Sequence, residues 1–281
     1  MQQRRFIQCD VFTDQPTRGN GLAVVVEAEG LGDQQMQDFA AWTNLAETTF
    51  LLPPSGPEAD YRVRIFTPTR EMPFAGHPTL GSCAAWLHAG GRPAQPDLVR
   101  QECAVGIVEI DLRGDVPAFV APPTRIMPMD DAHLQSILAR LEIPADRVRM
   151  TTQLENGPLW QVLELASADD VRAVDAVRVR WPEYKAIGLI GAHPDDGDAD
   201  YEVRMLAPSS GMSEDPITGS LNAAIARWFQ SLGRLDRPLL MAQGGCIGRV
   251  GRVHIRPDKT DPDRILVGGQ TLLLIDGTVT L

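Results

Sequence analysis

Glu47 is the residue of this chain whose type and setting suit proton-transfer chemistry, and His77, Asp215 and Ser220 stand where a small substrate could be held. Glu47 lies between an amphipathic stretch and the short apolar run Phe50-Leu51-Leu52. A carboxylate leading straight into a buried strand is unfavourable unless it is paired or used. Burial that moves its pKa toward the working pH would let it take a proton from one carbon and return it to another. A solvent-facing glutamate at a strand edge is the plainer alternative. His77 and Asp215 each precede a proline, in His77-Pro78-Thr79-Leu80-Gly81-Ser82 and Asp215-Pro216-Ile217-Thr218-Gly219-Ser220. Proline in the first turn forfeits no helical hydrogen bond, so both segments are predicted to open helices. Helix entrances offer unpaired N–H groups and partial positive charge, a seat for a carboxylate or a developing oxyanion. The amides around Gly76-His77 and Gly219-Ser220 would supply that seat. As a simpler alternative, Asp215 is an ordinary helix cap.

The two segments belong to a longer internal echo. Val63-Arg64-Ile65-Phe66-Thr67-Pro68 returns as Val203-Arg204-Met205-Leu206-Ala207-Pro208, and both copies lead into alanine-rich stretches ending in Trp86 and Trp228. The offset is about 140 residues, half the chain. That period is too long for a solenoid and points to two related domains. On this alignment His77 and Asp215 occupy equivalent helix entrances and face one cleft, a common setting for small-molecule sites.

The elements that must position these residues follow from local pattern. Phe6 to Phe12, Leu22 to Val26, Thr48 to Leu52 and Tyr61 to Phe66 are expected strands. Asp33 to Thr43 is an expected helix, capped by Asp33, with Met36, Phe39, Ala40 and Thr43 on one face. The proline-rich stretch Pro117 to Pro128 is the expected linker, giving domains at 1–122 and 123–281, with the last strand free to return to the first half. Ile265 to Val267 and Thr271 to Ile275 are further strands. Arg64 and Arg204, paired by the echo, are expected to be structural.

Composition narrows the function classes. The 281 residues exceed a typical single domain, and 43% hydrophobic content supplies a real core. A net charge of −11 argues against nucleic acid or an anionic membrane as main partner. The four cysteines, Cys9, Cys83, Cys103 and Cys246, form no CxxC pair, so neither a metal site nor a disulfide framework is expected. Buried structural thiols account for them. No apolar run approaches the roughly 18 residues that span a bilayer, and no signal core opens the chain, which places it in the cytoplasm. Neither a dinucleotide fingerprint nor a phosphate loop is present, so no cofactor is expected.

At these residues the chain resembles the phenazine-biosynthesis (PhzF-like) family, which shares the diaminopimelate epimerase fold. The resemblance rests on Gly19-Asn20-Gly21-Leu22-Ala23-Val24-Val25, Asn44-Leu45-Ala46-Glu47-Thr48-Thr49-Phe50, Arg64-Ile65-Phe66-Thr67-Pro68, Pro73-Phe74-Ala75-Gly76-His77-Pro78-Thr79-Leu80-Gly81 and Glu214-Asp215-Pro216-Ile217-Thr218-Gly219-Ser220, with Gln243-Gly244 and Val267-Gly268-Gly269 late in the chain. It implies an α+β fold of two similar halves, each a barrel-like sheet around a central helix, related by a pseudo-two-fold, in a homodimer. It also implies a cofactor-independent isomerase acting on a small carboxylate, similar to trans-2,3-dihydro-3-hydroxyanthranilate isomerase. Glu47 matches the family's proton-transferring glutamate, and His77, Asp215, Ser220, Gly76 and Gly219 fall in its substrate-binding loops. Gly21, Ser213 and Ile217 depart from the usual pattern, and the bulk of Ile217 bears on substrate identity.

Two rivals remain at this stage. A thiol-based epimerase needs a cysteine in each loop, whereas the echo pairs Cys83 with Leu221. A non-catalytic binding protein on the same scaffold has no use for Glu47, and deuterium uptake from heavy water into a bound ligand separates the two.

Overall fold

The computed structural model describes residues 2–176, 186–207, 213–259, 261 and 263–281. The chain divides into two units, one formed by Met1–Val120 with Gly268–Leu281, the other by Ala121–Val267. Each is considered by itself.

In the first unit the strands run β1 (Gln3–Val11), β2 (Asn20–Val25), β3 (Glu47–Leu52), β4 (Tyr61–Phe66), β5 (Glu71–Met72), β6 (Leu98–Cys103), β7 (Gly106–Asp111) and β8 (Ala118–Val120). Between β2 and β3 lies α1 (Asp33–Thr43), and between β5 and β6 lies α2 (Gly76–His88). β1 pairs antiparallel with β2, β2 parallel with β3, β3 antiparallel with β4, β4 parallel with β6, and β6 antiparallel with β7. A parallel pair needs a crossover, and α1 supplies the one between β2 and β3. The chain's last strand, named β18 below, pairs with β1.

β2 reads as a continuous apolar run because both its faces are covered. On one side Val25 joins Met36, Phe39 and Ala40 of α1 with Phe50 and Phe66. On the other, Leu22 packs on α2, where a Cβ added at Gly81 would lie 2.5 Å from Leu22 Cδ2. Only a glycine lets the helix approach so closely. Every residue from Gly76 to Cys83 is buried, as expected of a helix enclosed on all sides. α2 touches β1, β2, β3, β6, β8 and β18. The sheet therefore curls round it, the barrel-like arrangement that the family resemblance implied.

The second unit repeats this plan. Its strands are β9 (Arg125–Met127), β10 (Val148–Glu155), β11 (Leu159–Leu165), β12 (Ala186–Ala192), β13 (Tyr201–Leu206), β14 (Glu214–Asp215), β15 (Leu239–Gln243), β16 (Gly251–Pro257) and β17 (Ile265–Gly268), and β18 is Thr271–Thr280. Its helices are α3 (Asp131–Leu141), α4 (Ala168–Ala173) and α5 (Gly219–Ser231). β10 to β13, then β15 and β16, pair in the same antiparallel and parallel alternation as β1 to β4, β6 and β7. α5 occupies the position of α2.

Four details differ from expectation. The cap of α1 is Gly32, and Asp33 is the first helical residue; Gln35 Oε1 accepts the Gly32 N–H at 3.0 Å instead. Thr43, placed on the same face as Met36, Phe39 and Ala40, is only half-buried where those three are buried. Pro117 to Pro128 is not a bare linker: β8 and β9 lie within it, since proline is tolerated beside short strands. Pro208, part of the strand echo, lies outside the described residues.

The fourth correction concerns the echo itself. α2 starts at Gly76 and α5 at Gly219, so His77 corresponds to Ser220, not to Asp215. Asp215 sits on β14 opposite Met205, the place Met72 holds opposite Ile65. Pro216 precedes its helix while Pro78 lies inside the first turn of α2. The physical reason is an insertion: five positions separate Phe66 from Glu71, whereas eight separate Leu206 from Glu214. The aromatic pairs keep the structural register, because Tyr61 stacks on Trp86 at 5.1 Å and Tyr201 packs on Phe229, not Trp228, at 5.0 Å.

Candidate active site

Glu47 opens β3, opposite Leu22 of β2, at the point where α1 ends. Asn44, in the left-handed region at φ 53°, closes that helix, a conformation asparagine tolerates better than most residues. The Glu47 side chain keeps 17% of its surface exposed, enough for a small molecule to reach it.

His77 is the second residue of α2 and nearly fully buried. Its Nε2 lies 3.3 Å from Glu47 Oε2. The approach is close but outside good hydrogen-bond alignment. A neighbouring carboxylate ordinarily strengthens a histidine's hold on its proton, yet here burial dominates and pushes the His77 pKa down to about 3. The ring is therefore neutral at physiological pH, with one nitrogen bare.

Asn20 shows which nitrogen that is. Its Nδ2 lies 3.3 Å from His77 Nδ1. An amide NH2 can only donate, so Nδ1 accepts and the ring proton resides on Nε2, the nitrogen nearer Glu47. Asn20 is itself held by its loop: Gly19 N donates to the buried Asp10 Oδ2 at 3.1 Å. A Cβ at Gly19 would lie 2.4 Å from Val11 O, so this turn requires glycine. Asn20 lies in the segment Gly19-Asn20-Gly21-Leu22, but nothing in sequence spacing links it to His77.

In the second unit, Asp215 is half-buried on β14 and accepts a short hydrogen bond from Thr218 Oγ1. Gln243 Nε2 donates to Thr218 Oγ1 at 3.0 Å, and Gln243 Oε1 accepts from Thr218 N and from Asn222 Nδ2. Gly219 is buried and Ser220 half-buried, the first two residues of α5. Ser220 O accepts from Asn156 Nδ2 at 2.8 Å. Ile217 is fully buried, and a Cβ at Gly251 would lie 2.2 Å from its Cγ1. Its extra bulk is taken up in packing against that glycine.

The thiols are placed differently from one another. Cys9 and Cys83 are buried and burial pushes each up to about 12. Cys103 is only partly buried and Cys246 is exposed, so burial does not describe all four. Cys83 falls in the middle of α2, and the structural register pairs it with Ala226. A thiol that holds its proton so firmly is a poor base at neutral pH. Arg64 and Arg204 are structural: each forks onto the glutamate of the next strand, Glu71 and Glu214. Among the described residues, no three His, Cys, Asp or Glu side chains gather as metal ligands would, and no helix is long and apolar enough to cross a membrane.

A helix wrapped by a sheet presents a neutral histidine beside a partly exposed carboxylate. The sequence matches the phenazine biosynthesis-like protein family (PhzC-PhzF) over residues 9–277. It is 32% identical to the antisense-enhancing sequence 1 protein of Schizosaccharomyces pombe, covering 99% of each chain. It is 28% identical to trans-2,3-dihydro-3-hydroxyanthranilate isomerase of Pseudomonas fluorescens, over 98% of this chain and 99% of that one. The fold matches a crystal structure of a PhzF family protein from Bacillus anthracis with a TM-score of 0.83, at 20% identity and covering 100% of both chains. The chain belongs to the PhzC-PhzF family and is one of its isomerases.

Proposed function

We propose that the protein is a cofactor-independent isomerase that moves a proton between two carbons of a small carboxylate substrate, with Glu47 as base and then acid. The observation that carries this is the partly exposed Glu47 carboxylate 3.3 Å from Nε2 of a neutral, buried His77. In the first step a Glu47 oxygen takes a proton from an acidic carbon of the substrate, and the electron pair left behind delocalises into the adjoining unsaturation. In the second, the same carboxyl returns the proton at the far end of that system. One group serves both steps, so atoms and charge balance without a further reagent.

His77 contributes orientation. Its Nε2 edge lies 3.3 Å from Glu47 Oε2 and limits where that oxygen can turn. Burial lowers the His77 pKa to about 3, so the ring is a poor acceptor for the transferred proton. Gly76 presents backbone amides at the entrance of α2, and Gly219 and Ser220 do so at α5, where they suit the carboxylate of a substrate. Asp215 is an acceptor suited to a substrate amine or hydroxyl.

The substrate class follows from the Pseudomonas fluorescens relative, and trans-2,3-dihydro-3-hydroxyanthranilate is the compound to test first. Incubation in heavy water with that compound should place deuterium at the carbon that receives the proton. A wild-type protein that binds the compound without turnover or exchange would identify a binding protein and end the isomerase mechanism proposed for Glu47.

A further inference from the structure

We infer that Gln243 is a positioning residue for Asp215, acting through the hydroxyl of Thr218. The inference rests on the substrate-binding role proposed for Asp215. Gln243 is buried on β15 and stood in a sequence motif to which no role was attached.

The direction of each hydrogen bond follows from the chemistry of the groups. Thr218 N and Asn222 Nδ2 can only donate, at 3.1 and 2.9 Å, so the Gln243 atom they meet is its carbonyl oxygen. The other end of the amide is then its NH2, and it lies 3.0 Å from Thr218 Oγ1 and 3.3 Å from Asp215 O. Thr218 Oγ1 thus receives a hydrogen bond, and its single proton is left for Asp215 Oδ2. Asn222, fully buried, also donates to Thr218 O at 2.9 Å. Its own Oδ1 is buried without a hydrogen-bond partner among the described residues, so the amide is oriented to serve this network. The result is a one-way chain, Asn222 to Gln243 to Thr218 to Asp215. A carboxylate receiving such a bond is held in one rotamer.

The first unit carries a related device with a different end. Tyr61 OH donates to Gln101 Oε1 at 2.8 Å, Gln101 Nε2 donates to Thr79 Oγ1 at 3.1 Å, and Thr79 directs its proton to Ala75 O at 2.9 Å. A strand glutamine orders a threonine hydroxyl at the helix entrance in both units. In the first the proton goes to a backbone carbonyl, in the second to Asp215. The fixed carboxylate in turn selects ligands that carry a donor, an amine or a hydroxyl.

Two measurements test this. Crystal structures of Gln243→Glu and Thr218→Val should show the Asp215 carboxylate displaced. In Gln243→Glu the threonine proton turns to the new carboxylate, and the Asp215 Oδ2 to Thr218 Oγ1 separation opens beyond hydrogen-bond reach, about 3.5 Å. An Asp215 side chain unmoved in both variants would overturn the inference without reference to any substrate. Kinetics with trans-2,3-dihydro-3-hydroxyanthranilate form the second arm. Gln243→Glu and Thr218→Val should raise KM about tenfold or more, Thr218→Ser should remain near wild type, and these effects should vanish in an Asp215→Asn background. Effects that persist undiminished in that background, or a lowered Tm with unchanged KM, count against positioning. If Asp215→Asn alone leaves kcat and KM unchanged, the substrate-binding role of Asp215 is the part that fails, and the crystal structures still decide the geometry.

Discussion

His77 Nε2 stands 3.3 Å from Glu47 Oε2, while the opposite ring nitrogen stands 3.3 Å from Asn20 Nδ2. The three side chains come from the start of α2, the start of β3 and the start of β2. The amide fixes the ring, and the ring faces the carboxylate.

Replacing Glu47 with glutamine keeps its size and removes the titrating group. Turnover and solvent-deuterium exchange should fall by roughly 10²–10⁴-fold, the usual worth of a positioned proton-transfer group. The Tm should change little, because a partly exposed carboxylate beside a neutral ring contributes little to stability. Full exchange in a folded Glu47→Gln variant would remove Glu47 from the mechanism.

The neutral state of His77 has a consequence for stability. Its pKa is about 3 in the folded chain and about 6.5 in the unfolded one. Between those values the unfolded state binds the extra proton, so stability is full above about pH 6.5 and declines as pH falls toward 3. From pH 7 to pH 5 the loss due to this residue is about 2 kcal/mol. Chemical denaturation of wild type and His77→Asn at both pH values should show a smaller decline in the variant by about that amount. Equal declines would mean that His77 is not buried neutral.

Asn20 is expected to act through the ring. Asn20→Asp offers Nδ1 an acceptor, which draws the ring proton away from Nε2 and leaves Glu47 facing a bare nitrogen. The kcat should fall at least about tenfold, since a wrongly placed histidine proton is costly in acid–base catalysis. NMR of 15N-labelled histidine should show the change of tautomer at His77. An unchanged tautomer with reduced kcat would assign Asn20 to loop structure only.

The two arginine–glutamate forks differ in burial, so they should differ in energy. Arg204 and Glu214 are 3% and 1% exposed, and Arg204 also donates to Val171 O and Val174 O. Arg204→Met strands a buried carboxylate and should destabilise the fold by about 3–5 kcal/mol. Arg64 and Glu71 are 25% and 42% exposed, and Arg64→Met should change stability by less than about 1 kcal/mol. Urea denaturation of the two variants checks the contrast, and equal losses would contradict it.

Local physics was legible in the sequence wherever one element determined the outcome. The apolar run of β2, the alternation in β4 and the face of α1 formed by Met36, Phe39 and Ala40 all carry their own periodicity. The internal echo declared two copies of one plan, and the glutamate, histidine and aspartate stood out by type and setting. Tertiary structure decided the rest. Three residues inserted between β13 and β14 shift α5 relative to its strand, so a match at the prolines paired His77 with Asp215 when strand register pairs it with Ser220. No periodicity reports such a slip, because each copy is locally regular. The partnership of Asn20 with His77 spans 57 positions, and that of Gln243 with Thr218 spans 25. Hydrogen bonds of that reach exist only after the sheet has curled round its helix, which is why residue types alone marked the candidate groups but not the amides that lie against them.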